Sequence, residues 1–139
     1  MISIIDDDCS IREAVRSLIR SLGYEAVAFS SAEEYLQSDR VAESECIITD
    51  LQMPGMTGID LQHRLIDGGY RKPVILMSAL SAEEASAHAM EATSCRFLRK
   101  PFSDERLIEC LDRALGRVRK TATHPTQLLT QDFRRLVSA

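Results

Sequence analysis

Asp50 closes an apolar run, Cys46-Ile47-Ile48-Thr49, and is followed at once by Leu51-Gln52-Met53-Pro54-Gly55. A carboxylate at the end of a buried strand, just ahead of a turn, is held firmly and offered to solvent. Ile2-Ser3-Ile4-Ile5 ends the same way, in Asp6-Asp7-Asp8. Asp6, Asp7 and Asp50 cannot all stay ionised a few ångströms apart without a counter-charge. A hard divalent cation supplies one, and Mg2+ suits the set because it takes one or two carboxylates and keeps waters or phosphate oxygens for its other positions. A carboxylate beside such a cation can accept a phosphoryl group. Lys100 follows another apolar run and precedes Pro101. An X-Pro bond is the one place where a cis peptide costs little, and a cis bond here would turn the lysine back over the sheet edge toward Asp50. Ser78 ends a further run, where its hydroxyl could bond a phosphoryl oxygen.

Five short runs must position these groups: 2–5, 25–29, 46–49, 74–77 and 95–98. They are rich in Ile, Val and Phe and continuously apolar, the pattern of parallel strands buried on both faces. Helical patterns lie between them. Ile11, Val15, Leu18, Ile19 and Leu22 form one stripe, with Gly23 where the helix should stop. Ser10 with Glu13 reads as the capping box that starts it, and Ser31 with Glu34 and Ser81 with Glu84 repeat the signature. Leu107, Ile108, Leu111, Leu115 and Val118 mark the last helix, opened by Ser103 with Asp104 and Glu105 in its first turn. This order predicts an α/β fold: a flavodoxin-like (βα)5 doubly wound parallel sheet in three layers, strand order 2-1-3-4-5. In that order ligands bind beyond the carboxyl ends of strands 1 and 3, where the acidic residues stand.

Composition narrows the function. The chain has 139 residues, about one domain, with 45% hydrophobic and 27% charged residues. A net charge of −4 gives no basic footprint for nucleic acid. There is neither a secretory leader pattern nor an apolar stretch near the ~20 residues that cross a bilayer, so a cytoplasmic protein is expected. Cys9, Cys46, Cys95 and Cys110 lack C-x-x-C spacing, which argues against zinc, and the last three read as buried hydrophobes. Cys9 carries no redox expectation. His63, His88 and His124 fall at polar positions with nothing to suggest metal or catalysis. Asp8 reads as a surface acid near a helix start rather than a ligand, and Met53-Pro54-Gly55-Met56 as a type II turn.

Four motifs in order, Ile5-Asp6-Asp7-Asp8, Asp50-Leu51-Gln52-Met53-Pro54-Gly55-Met56-Thr57-Gly58, Ser78-Ala79 and Lys100-Pro101-Phe102, resemble the receiver domain of two-component response regulators over about residues 1 to 118. The resemblance implies that Asp50 takes a phosphoryl group from a sensor histidine kinase or phosphotransfer protein, with Lys100 and Ser78 assisting. It implies that Asp7 ligates Mg2+ directly, Asp6 mostly through water, and the backbone carbonyl of Gln52 completes the protein's share. Ser78 and Phe97 match the family's switch pair. The surface they control is the fourth helix, fifth strand and fifth helix, roughly residues 82 to 116, through which a downstream partner, an output domain or a second copy would be engaged. Apart from this self-phosphorylation and a slow reversal, no enzymatic activity is implied.

Two departures stand out. Ala92-Thr93-Ser94 replaces a small Ala-Gly-Ala type run, and Leu80, apolar beside the pocket, cannot position an attacking water, which predicts slow dephosphorylation. Two other classes share parts of the pattern. A haloacid-dehalogenase-type phosphatase needs a second acid two residues after its nucleophile, where this chain has Gln52. A flavodoxin-type FMN protein needs a phosphate-cradling loop after the first strand, where Asp6-Asp7-Asp8 would repel phosphate. Residues 119–125 read as a linker, and 126–138, with Leu129, Phe133, Leu136 and Val137, as a short amphipathic helix. That tail fits a docking helix, a dimer contact or the start of an output domain, and a stand-alone receiver and a truncated regulator both remain open.

Overall fold

A computed structural model of the chain describes residues 1–79 and 95–116. The element order is β1 (Ile2–Ile5), α1 (Cys9–Ser21), β2 (Ala26–Phe29), α2 (Ala32–Gln37), β3 (Cys46–Asp50), α3 (Gly58–Asp67), β4 (Val74–Ser78), β5 (Cys95–Arg99) and α4 (Asp104–Ala114). Every strand pairing is parallel and the order is β2-β1-β3-β4-β5, as the alternation of patterns predicts. The helix expected from Ser81 and Glu84, Leu80, His88, the 92–94 departure, Val118 and the tail with His124 lie outside the described residues.

Alternate side chains of each strand point to opposite faces, and the structure has a core on each. On one face Ile5, Ile47 and Leu76 pack with Tyr35 of α2 and with Leu61 and Leu65 of α3. On the other, Ile4, Ile48 and Met77 pack with Val15 and Ile19 of α1 and with Leu107 and Leu111 of α4. Central β1, β3 and β4 are buried throughout, which is why they read as continuous apolar runs. Edge strand β2 departs from that reading: Ala26, Val27 and Ala28 are only half-buried, because its outer flank lacks a neighbouring strand.

The helix starts correct one sequence expectation. Asp8, not Ser10, caps α1, its carboxylate accepting from the N–H groups of Ser10 at 2.9 Å and Ile11 at 3.4 Å. The helix begins two residues nearer the strand, so Ser10 lies inside it, and Asp8 is the first side chain able to satisfy the free amides. Ser31 caps α2 as expected, though Glu34 reaches back to the N–H of Ser30 at 2.7 Å rather than to Ser31. A complete capping box opens α3 instead, Thr57 with Asp60, each bond 3.1 Å. The Ser-x-x-Glu pattern misses it because Asp stands where Glu or Gln is usual. Ser103 caps α4 at Arg106 N–H, and Gly23 follows α1 at φ +95°, a left-handed geometry suited to glycine.

Candidate functional site

Register brings the strand-end residues together. Ile5 pairs with Thr49, so Asp6 and Asp50 leave adjacent strands side by side. Asp50 pairs with Met77 and Ser78 with Arg99, which sets Ser78 and Lys100 at the same edge, where the Lys100 amide donates to the Ser78 carbonyl at 2.7 Å. The Lys100–Pro101 peptide is cis, as the sequence allows.

Lys100 Nζ lies between two carboxylates, 3.2 Å from Asp6 Oδ2 and 3.4 Å from Asp50 Oδ1. Asp6 is fully buried, and its other oxygen accepts the Asp8 N–H at 2.8 Å. Both Asp6 oxygens therefore have protein partners, while exposed Asp7 has no side-chain hydrogen bond or ion pair among the described residues. One oxygen each from Asp6, Asp7 and Asp50 falls within a group whose members all lie within 4.8 Å of one another. One ammonium among three carboxylates leaves an excess of negative charge. Asp50 is only 8% exposed, and burial pushes its pKa up. The neighbouring Asp6 adds to the rise, while Lys100 and the Gln52 N–H, bonded to the Asp50 carboxylate, work against it.

The loop after β3 folds tightly back. A Cβ at Gly58 would stand 2.6 Å from the Asp50 carbonyl oxygen and 2.8 Å from Leu76, so only glycine lets α3 start this close to the end of β3. Gly55 adopts φ +78°, the left-handed position of the expected type II turn. Ser78 is buried beside the site, and Phe97 is half-buried against the core on the α2 and α3 face. Cys46 is buried, its thiol pushed up to about 12 by desolvation, whereas Cys110 is only partly covered and Cys9 is exposed. His63 is exposed on α3.

Two supporting residues have no signal in the sequence alone. Arg12 Nη1 donates to the Asp6 carbonyl at 2.7 Å, and Glu33 of α2 accepts the Met56 N–H at 3.1 Å, tying down the loop after Asp50. A charged residue on a helix face is ordinarily solvated, so neither position announces a partner.

Fold and site together define a doubly wound α/β protein with an acidic pocket at its topological switch point. Residues 2–112 match the response regulator receiver domain family, and the chain belongs to it; signalling by phosphorylation is that family's standard function. The chain is 34% identical over 120 residues to Nodulation protein W of Bradyrhizobium diazoefficiens, covering 86% of this chain and 53% of that protein. It is 36% identical over 115 residues to Response regulator protein TodT of Pseudomonas putida, covering 83% and 51%. It thus spans about half the length of the curated relatives it matches. Among solved structures, the chemotaxis protein CheY4 of Vibrio cholerae superposes with a TM-score of 0.74 at 28% identity, over 82% of this chain and 97% of that one. Among the described residues no helix is long and apolar enough to cross a membrane.

Proposed function

We propose that Asp50 is the phosphoacceptor of this receiver, and the observation that carries the reading is the Asp6, Asp7 and Asp50 group with Lys100 between two of its members. The donor set fits Mg2+: three hard carboxylate oxygens at the carboxyl ends of β1 and β3, one of them from an exposed residue, with net negative charge that only a cation can balance. Asp7 would be the direct ligand, Asp6 would act through water because its oxygens are already engaged, and the Gln52 carbonyl would complete the shell. When bound, the metal would neutralise charge on the transferring group.

The chain's own residues do the rest. The Asp50 carboxylate is the nucleophile, presented by a buried strand and oriented by the Gln52 N–H. The Lys100 ammonium, released from part of its carboxylate contact, stabilises the phosphoryl oxygens, and the Ser78 hydroxyl bonds one of them. Ser78 and Phe97 then act as the switch: the hydroxyl moves toward the phosphoryl group and the ring turns further inward. The phosphoryl donor is a histidine kinase or phosphotransfer protein, and the reader is a downstream protein, an output domain or a second copy engaging the surface that includes β5 and α4. Residues 1–118 form this unit and 119–139 the linker and tail, in a cytoplasmic protein that catalyses only its own labelling and its slow loss.

Incubating the protein with a small acyl phosphate, with and without Mg2+, tests this by intact mass. One phosphoryl group per chain, dependent on Mg2+ and lost in Asp50→Asn, is the expected result. Labelling that persists in Asp50→Asn would sink the assignment. Steady turnover without labelling would favour the phosphatase, and a yellow, flavin-loaded protein the FMN binder.

A further inference from the structure

Asp6, Asp7 and Asp8 are consecutive, and their mutual repulsion works to open the turn that carries them. Three bonds hold it shut. Asp6 Oδ1 accepts the Asp8 N–H at 2.8 Å, the Asp8 carbonyl accepts the Arg12 N–H at 3.0 Å, and Arg12 Nη1 donates to the Asp6 carbonyl at 2.7 Å. The third has a particular consequence. The Asp6 carbonyl belongs to the planar peptide that leads into Asp7, so holding that oxygen restrains the plane on one side of Asp7. The Asp8 N–H bond to Asp6 Oδ1 restrains the other, and together they limit the directions in which the Asp7 side chain can leave the backbone. Asp7 needs such help: its own side chain has no hydrogen bond or ion pair among the described residues. Arg12 is well placed to give it, one turn into a helix anchored by buried Val15 and Ile19.

From this geometry we infer that Arg12 is a positioning residue for the cation site, holding the Asp6–Asp7 peptide so that the Asp7 carboxylate meets those of Asp6 and Asp50. The inference rests on the reading of that group as a Mg2+ site. Arg12 forms no ion pair within 4.0 Å among the described residues, and its contact is to a neutral carbonyl, so its role is geometric rather than charge-balancing. The two roles have opposite signs. A guanidinium acting only as a counter-charge would compete with a cation, and its loss would tighten Mg2+ binding. A guanidinium holding the turn would weaken binding when lost.

Calorimetric titration of the full chain with Mg2+ distinguishes them. Arg12→Ala is expected to lose about tenfold in affinity, the size of effect seen for groups that orient metal ligands. Arg12→Lys, which keeps a donor of similar reach, should recover most of the loss. At saturating Mg2+, labelling by acyl phosphate should proceed at near the wild-type rate in both, so the defect falls on metal affinity alone. Should Arg12→Ala fail to fold by circular dichroism, Arg12→Met keeps the apolar stem and carries the same expectation. Unchanged or tighter Mg2+ binding in the folded Ala or Met variant would overturn the inference while leaving the site intact. A wild-type chain that binds no Mg2+ would overturn the site and the inference together.

Discussion

The molecule has a buried polar cluster at each end of its sheet, and the two are built on opposite principles. Near the amino ends, the Ser44 hydroxyl donates to the Arg40 carbonyl at 2.7 Å and meets Ser3 Oγ and Tyr35 Oη, each at 2.7 Å. Ser44 has a single proton, so the Tyr35 hydroxyl donates to it, while the Ser3 proton is shared between Ser44 Oγ and Met1 Sδ, 3.4 Å away. Burial pushes the Tyr35 phenol above its ordinary pKa, which keeps it neutral and able to donate. Lys72 closes the same end by donating to the carbonyls of Ala42 and Ser44. Hydroxyls can satisfy one another, and the three-hydroxyl cluster is itself neutral, with the nearby cation Lys72 bonded to backbone carbonyls at its margin. At the carboxyl ends, carboxylates accept but cannot donate, and one lysine does not balance Asp6, Asp7 and Asp50. That cluster is left wanting a cation. Polar groups are satisfied at one end, and charge is left unbalanced at the other, where the proposed chemistry lies.

The largest effect that would sharpen the contrast is all-or-none. Asp50→Asn should abolish phosphoryl labelling without loosening the fold, and intact mass with a thermal melt reads both. At the opposite end, Ser44→Ala should destabilise the protein by about 2 kcal/mol, since the Ser3 and Tyr35 hydroxyls lose a buried partner at roughly 1 kcal/mol or more each, while the Arg40 carbonyl keeps the backbone N–H of residue 44. Urea unfolding measures it, and a change below about 1 kcal/mol would mean that water replaces the hydroxyl.

The pH dependence separates the ends more finely. The folded-state pKa of Asp50 is raised, chiefly by burial. The folded protein thus holds that proton more tightly than the unfolded chain, and the contribution is full below the unfolded value of about 3.9 and lost as pH rises through the folded value. Metal-free wild type should lose stability relative to Asp50→Asn as pH climbs from about 4 toward neutrality, and Mg2+ at neutral pH should restore it by binding the folded state. Parallel melting curves for the two proteins across that range would break the contrast.

The smallest expected effect lies between the ends. Gln62 on α3 is 2% exposed, and neither its carboxamide oxygen nor its nitrogen has a hydrogen-bond partner among the described residues. Gln62→Leu should stabilise the protein by about 1 kcal/mol by removing an unsatisfied buried group. Destabilisation in urea would show that the amide has a partner in solution.

Much of this fold is written locally. Continuous apolar runs mark β1, β3 and β4 because strands covered on both faces bury every side chain, and the helical stripe of α1 marks the face that covers them. Local pattern is weaker where several residues could do the same job. Asp8 and Ser10 are both competent caps, and only the distance from the end of β1 to the first free amide selects Asp8. The Thr57 and Asp60 box was hidden by an unusual partner type.

By itself the sequence determined which residues could react: carboxylates after two apolar runs, a lysine before proline, a serine at a strand end. Those are properties of residue type and order, carried by periodicity and turn chemistry. Only the tertiary structure decided how they share space. The pairing of Ile5 with Thr49 and of Ser78 with Arg99 sets Lys100 between Asp6 and Asp50, residues 94 and 50 positions away along the chain. It also spent both oxygens of Asp6, left Asp7 unsupported by its own side chain, and brought Arg12 to the peptide between them. Such relations arise from contacts across the sheet and around one turn, and no periodicity in the chain encodes them.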